Sequence, residues 1–104
     1  MVIDEIRELL TAPSPGNGAL FLERLDSTLT AGYAHALQLE AERWRLERRI
    51  GEVAAKIVDD KRELDTDELA NLARRLTSAN ENIASLRTLL GSLRDRRSAI
   101  RTAA

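Results

Sequence analysis

A heptad pattern of apolar residues covers most of this 104-residue sequence and limits the folds that the chain can adopt. Apolar positions recur in alternating steps of three and four residues along two long runs. The first run is Leu22, Leu25, Leu29, Gly32, Ala36, Leu39, Arg43, Leu46, Ile50, Val53 and Ile57, and the second is Leu69, Leu72, Leu76, Ala79, Ile83, Leu86, Leu90, Leu93, Arg97 and Ile100. A repeat of about 3.5 residues keeps one side of a helix turned toward a partner helix. The sequence therefore predicts an all-α fold, a long antiparallel two-helix coiled-coil hairpin.

Prolines and glycines divide the sequence, which we interpret as a single helical domain over residues 1–104, into shorter and longer helical segments. Proline lacks a backbone N–H and fixes its own φ, and so ends a helix unless it lies in the first turn. The predicted segments are a short amphipathic helix at 2–11, a Pro/Gly linker at 12–18, a long helix at 19–60, a turn at 61–65 and a second long helix at 66–102.

The acidic turn sets the register that we expect between the two long helices. Asp65 is placed to cap the second long helix, and Glu68 stands three residues later, where it would complete a capping box. A turn centred near residue 63 would pair residues whose numbers add up to about 126, which brings Ala36 next to Leu90.

The composition excludes several classes of protein. The chain has no cysteine, and so it forms neither disulfides nor thiolate metal sites. Its net charge of −1 argues against a dedicated nucleic-acid binder. No apolar run approaches the roughly 20 residues that cross a bilayer, and the first residues lack the pattern of a secretory signal. We therefore expect a cytoplasmic protein that has no membrane partner.

An apolar stripe on the first long helix is the candidate contact surface. Tyr33, Leu37, Ala41 and Trp44 follow one another at spacings of four, four and three residues, which places them on one side of the helix and off the heptad seam. Exposed aromatic residues on a small helical protein usually mark an interface. The stripe therefore predicts a homodimer, in which two hairpins pair into a four-helix bundle, or a contact with another protein.

The short helix at 2–11 offers an alternative explanation of this stripe, because it could fold back and cover the apolar side chains. A helix of ten residues spans about 15 Å. It could reach Tyr33, but we expect that it would not reach Trp44. Which of the two explanations holds depends on the face of the long helix against which the short helix packs.

Arginines near the end of the chain form an alternative site, for nucleic acid or a small anionic ligand. The candidates are Arg87, Arg94, Arg96, Arg97 and Arg101. A structural explanation competes with this one, because the predicted register places these arginines beside Glu23 and Asp26 at the start of the first long helix. Arginines near a helix C-terminus are also favoured by the helix dipole.

The sequence offers no candidate for a catalytic, cofactor-binding or metal-binding site. His35 is the single histidine, and the Glu-x-x-His pattern of di-iron bundles fails because Gly32 stands three residues before it. A two-helix hairpin also has no evident cleft in which acid and base groups could converge. We therefore expect a protein that is not an enzyme and that needs no cofactor.

Overall fold

In the computed structural model, the residues that the structure describes form three helices. They are α1 (Val2–Thr11), α2 (Gly18–Asp60) and α3 (Glu63–Ala103). The structure describes residues 2–13, 18–60 and 63–103, and within these ranges the side chains at 59, 60, 63–65 and 103 are left out. The expected all-α class is confirmed, since the described residues contain no strand.

The largest difference from the predicted helix bounds is at the start of α3. This helix begins at Glu63, three residues before the expected start, and Asp65 therefore lies inside the first turn rather than in front of it. The side chain of Asp65 lies outside the described part of the structure, so the capping interpretation stays a prediction, and the Glu68 carboxylate accepts hydrogen bonds from Arg49. Four residues of the predicted linker, 14–17, and two of the predicted turn, 61–62, lie outside the described residues.

The helices pack into two compact units, which we call the three-helix unit and the two-helix unit. The three-helix unit comprises Met1–Leu37 and Ala84–Ala104, and the two-helix unit comprises Gln38–Ile83. Each long helix contributes one part to each unit, and α1 belongs to the three-helix unit.

The three-helix unit has a well-buried core to which all three helices contribute. Its buried side chains are Ile6 and Leu9 from α1, Phe21, Leu25, Thr28, Leu29 and Ala36 from α2, and Leu86, Leu90 and Leu93 from α3. Most of the α2 and α3 members occupy heptad positions, and the α1 members come from the apolar side of the short helix. Burying a leucine or isoleucine side chain stabilises a fold by about 1.5–3 kcal/mol, which makes this cluster the main source of stability in the unit.

Close packing at Gly32 brings the three helices together. A β-carbon added at this glycine would overlap the δ2 methyl of Leu90 and would lie 3.5 Å from the δ1 methyl of Ile6. The missing side chain thus lets one residue of α1 and one of α3 approach the α2 backbone. Gly51, in the two-helix unit, has open space around it.

The register within each unit differs from the predicted one by about one helical turn. Gly32 lies against Leu90, where the sequence had suggested Ala36. In the two-helix unit, Arg43 donates a hydrogen bond to Asn80 over 3.5 Å. The numbers in these pairs add up to 122 and 123 rather than about 126.

The two-helix unit buries few side chains. Val53, Leu72 and Ile83 are buried, whereas the other described heptad residues of this unit, including Leu46 and Leu76, are half-buried. Two helices can hide only the sides that meet each other, and heptad positions at the margin of that contact remain accessible to water.

Candidate functional site

The apolar stripe of α2 is exposed in the structure. Relative exposure is 45% for Tyr33, 67% for Leu37 and 56% for Trp44, and Ala41 is exposed as well. Tyr33 and Leu37 belong to the three-helix unit, while Ala41 and Trp44 belong to the two-helix unit. Their role as contact residues stays a prediction, but all four side chains are available to a partner.

Helix α1 packs against another side of α2 and does not cover Tyr33 or Leu37. The Thr28 hydroxyl donates a hydrogen bond to Glu5 of α1 over 3.0 Å, and Arg24 pairs with Glu8 of α1 over 3.4 Å. Thr28 and Tyr33 are five residues apart, which separates their directions by about 140° around the helix. The sequence could not establish this face, because α1 carries apolar residues that suit either position.

Arg48, on the same helix, stacks over the ring of Trp44. The guanidinium carbon of Arg48 lies 4.9 Å from the ring centroid, within the range of a cation–π interaction. The two residues are four apart on α2, so that the contact requires no rearrangement of the backbone. With this contact in place, more than half of the Trp44 surface remains exposed.

The arginine cluster near the end of α3 divides into engaged and exposed members. Arg96 donates a hydrogen bond to the carbonyl oxygen of Ala12, and its guanidinium carbon lies 5.6 Å from the centroid of the Phe21 ring. Arg97 forms an ion pair with Asp26, as the structural explanation of the cluster had suggested. At least these two guanidinium groups are therefore already used to hold the three-helix unit together.

The other three arginines of the cluster are all exposed, but they differ in whether they interact with another group of the protein. Arg94 and Arg101 are exposed, and within the described part of the chain they form no ion pair. Arg87 is exposed but takes part in an interaction within the protein. A ligand site formed by all five arginines would have to break at least the contacts of Arg96 and Arg97.

A groove in the two-helix unit was not predicted from the sequence. It has a volume of about 570 Å³ and lies between α2 and α3. Apolar side chains that line it include Leu39, Leu46 and Leu72. The charged side chains along it are Arg45, Arg49, Arg74, Arg75 and Glu42. On both helices, arginines lie close in sequence to leucines that line the groove. That these residues share one surface can be recognised only when the register between the two helices is known.

One of the groove arginines is paired and the others are exposed. Arg49 donates hydrogen bonds of 3.1 and 2.7 Å to Glu68 across the two helices, and it lies 3.6 Å from Glu52. The hydrogen bonds and charge of Glu68 raise the pKa of Arg49 above its ordinary value. Arg45, Arg74 and Arg75 form no ion pair with any residue that the structure describes. Among the described residues that line the groove, four arginines therefore stand against one acidic residue, Glu42, and the groove carries an excess of positive charge.

Metal binding finds no support in the described ranges, where no group of three or more histidine, cysteine, aspartate or glutamate side chains could hold an ion. His35 is half-buried. None of the described helices is both long and apolar enough to span a bilayer. Comparisons with protein-family models, curated proteins and solved structures find no match to the chain.

Proposed function

We propose that the chain is a non-enzymatic helical interaction or scaffold module that self-associates. In this proposal α2 and α3 form an antiparallel coiled-coil hairpin, and two hairpins pair through the stripe of Tyr33, Leu37, Ala41 and Trp44 into a four-helix bundle. The observation that supports it is the exposure of three large apolar side chains on one side of α2.

The energetics of the two-helix unit favour such pairing. A pair of helices with three buried side chains gains little from hydrophobic burial, and a second pair packed against it would remove further apolar surface from water. Tryptophan and tyrosine are enriched among the residues that dominate binding energy. A twofold axis closes the assembly, because the same stripe then serves both partners.

Sedimentation equilibrium tests the proposal. At micromolar concentration we expect twice the chain mass of 11.6 kDa. Trp44→Ala should weaken the dimer by about 2 kcal/mol, which is about a 30-fold increase in the dissociation constant. A single-chain mass for the unmodified protein would contradict self-association.

Two leucines of α2 provide a matched control. Leu37, in the stripe, is 67% exposed, and Leu20, outside it, is 64% exposed. Leu37→Ala should weaken the dimer, while Leu20→Ala should leave it unchanged, because both remove the same apolar surface but only one removes it from the proposed interface. Equal effects of the two substitutions would show that the dimer forms elsewhere.

The second candidate function is the binding of nucleic acid or an anionic ligand at the end of α3. The observation in its favour is that Arg94 and Arg101 are exposed and unpaired among the described residues. Affinity for a phosphate-bearing ligand should fall steeply as salt concentration rises. An apolar contact between subunits should respond weakly to salt, and the same titration therefore separates the two candidates.

A further inference from the structure

The groove of the two-helix unit combines an apolar floor with a basic rim. Leu39, Leu46 and Leu72 line it, and Arg45, Arg74 and Arg75 stand along it without an ion pair in the described structure. Arginine stems can pack against an apolar partner while their guanidinium groups reach carboxylates at its edge. A surface of this kind fits a ligand that is apolar along its centre and acidic along its sides.

The three-helix unit shows what such a surface between α2 and α3 accepts. There the occupant is α1, an amphipathic helix with Asp4 and Glu5 in its first turn. Its Ile6 and Leu9 are fully buried, and its Glu8 pairs with Arg24 of α2. An acidic amphipathic helix of this chain therefore already packs against the same two long helices. It does so by burying apolar side chains and by pairing a glutamate with an arginine of α2.

We propose that the groove of the two-helix unit binds an amphipathic helix of another protein, with acidic residues on both sides of its apolar stripe. The apolar stripe would lie on Leu39, Leu46 and Leu72. Its acidic residues would pair with Arg45 on one side and with Arg74 and Arg75 on the other.

The length of the groove sets the length of helix that it can hold. On α2 it extends from Leu39 to Arg49, a distance of about 15 Å along the helix axis. That corresponds to about three turns of a bound helix, the same length as α1, which has 10 residues. A partner helix of this size would use three or four apolar positions and a carboxylate on each side.

Charge decides against a second copy of this chain as the occupant. Two copies facing each other through this groove would place Arg45, Arg74 and Arg75 of each against the same residues of the other, with Glu42 as the acidic lining residue of the groove. Like charges at such a contact are unfavourable. Leu46 and Trp44 are two residues apart, about 200° around the helix, which separates the floor of the groove from the aromatic part of the stripe.

Binding of two synthetic helical peptides to the full-length protein tests this inference. Each peptide would have about 15 residues, a side-chain staple to hold the helix and the same leucine stripe. The first carries glutamates on both sides of the stripe, and the second carries lysines in their place. By fluorescence anisotropy, the glutamate peptide should bind at least about tenfold more tightly than the lysine peptide.

Charge reversal locates the site. In the Arg74→Glu/Arg75→Glu variant, affinity for the glutamate peptide should fall about tenfold or more, and affinity for the lysine peptide should rise. The matched control is Arg94→Glu/Arg101→Glu, which makes the same change of charge at exposed arginines of the three-helix unit and should leave binding within about twofold. Circular dichroism checks that both variants keep their helices, and Arg45→Glu provides a second test from the other side of the groove.

Several results would overturn the proposal. Equal binding of the two peptides would show that the arginines do not select the ligand. An unchanged affinity in both groove variants would show that the helix binds elsewhere. The proposal would also fail if inorganic polyphosphate or a single-stranded oligonucleotide bound through Arg74 and Arg75 while the glutamate peptide did not bind. That result would identify the groove as a phosphate site.

Discussion

The three-helix unit and the two-helix unit are built from the same pair of long helices and differ in whether a third helix covers them. With α1 in place, ten of the side chains described in the three-helix unit are buried, whereas the described part of the two-helix unit buries Val53, Leu72 and Ile83. The heptad pattern is equally regular in both. Apolar spacing therefore directs the contact between α2 and α3, but the extent of burial depends on what packs against the pair.

Glycine and arginine are used differently in the two units. In the three-helix unit, Gly32 makes room for side chains of the neighbouring helices. Arg96 and Arg97 form a hydrogen bond and an ion pair, respectively, with other residues of the same unit. In the two-helix unit, Gly51 faces open space and the arginines at the groove rim stay exposed. Within the described residues, the first unit uses this glycine and these arginines for its own packing, while the second leaves the corresponding groups exposed.

Core truncation should give the largest difference between the units. Leu86, fully buried in the three-helix unit, and Leu76, half-buried in the two-helix unit, are both heptad leucines of α3. Leu86→Ala should reduce the free energy of unfolding by about 2–5 kcal/mol, because it leaves a cavity in the closed core. Leu76→Ala should cost less than half as much, because water already reaches the site. Urea unfolding of the two variants measures both values, and equal losses would break the comparison.

The two α2 glycines should respond to alanine with opposite signs. Gly51→Ala should raise the free energy of unfolding by about 0.5–1 kcal/mol, since alanine favours the helix and nothing contacts the new methyl group. Gly32→Ala gains the same helix propensity but must displace the buried side chain of Leu90, and overpacking of a core costs about 1–3 kcal/mol. Thermal and urea unfolding report the two changes. Stabilisation by both would show that α1 and α3 are not closely packed at Gly32.

A smaller effect should come from the buried hydroxyl that joins α1 to α2. Thr28 is buried and donates to Glu5, whereas Thr30 is exposed and donates to the carbonyl of Asp26 in its own helix. Thr28→Val should cost about 1 kcal/mol, because it removes a hydrogen bond between helices while the shape is kept. Thr30→Val should change stability by less than about 0.5 kcal/mol, as expected of an exposed site. If chemical denaturation gives the same value for both, Glu5 does not hold α1 in place.

The sequence predicted the all-α class because a 3.5-residue repeat is difficult to satisfy with any other structure. It also suggested that the arginines at the end of α3 meet acidic residues of α2, and the pair of Arg97 and Asp26 follows that suggestion. The predicted register rested on a turn assumed to centre near residue 63, and the contacts of Gly32 with Leu90 and of Arg43 with Asn80 lie about one turn away from it. An exact turn centre is difficult to read from local signals, and the structure begins α3 at Glu63.

The groove and the position of α1 could not be predicted from the sequence for a different reason. The sequence alone does not show that Arg45 and Arg49 share a surface with residues of α3, and Arg49 also pairs with Glu52 on its own helix. Their common surface with Arg74 and Arg75 exists because two helices meet in one particular register. Likewise, the apolar side of α1 suits several faces of α2, and the choice depends on the space beside Gly32.

Residue-level hydrogen exchange along α3 tests the central claim, that α1 closes the core of one unit while the other unit, without a third helix among its described residues, is less protected. The measurement should use the Trp44→Ala variant, so that the proposed self-association does not protect the two-helix unit. We predict that amides at 86–93 exchange at least about tenfold more slowly than those at 72–79, because the two-helix unit opens at lower free energy. Equal protection in both segments, or slower exchange at 72–79, would contradict the account.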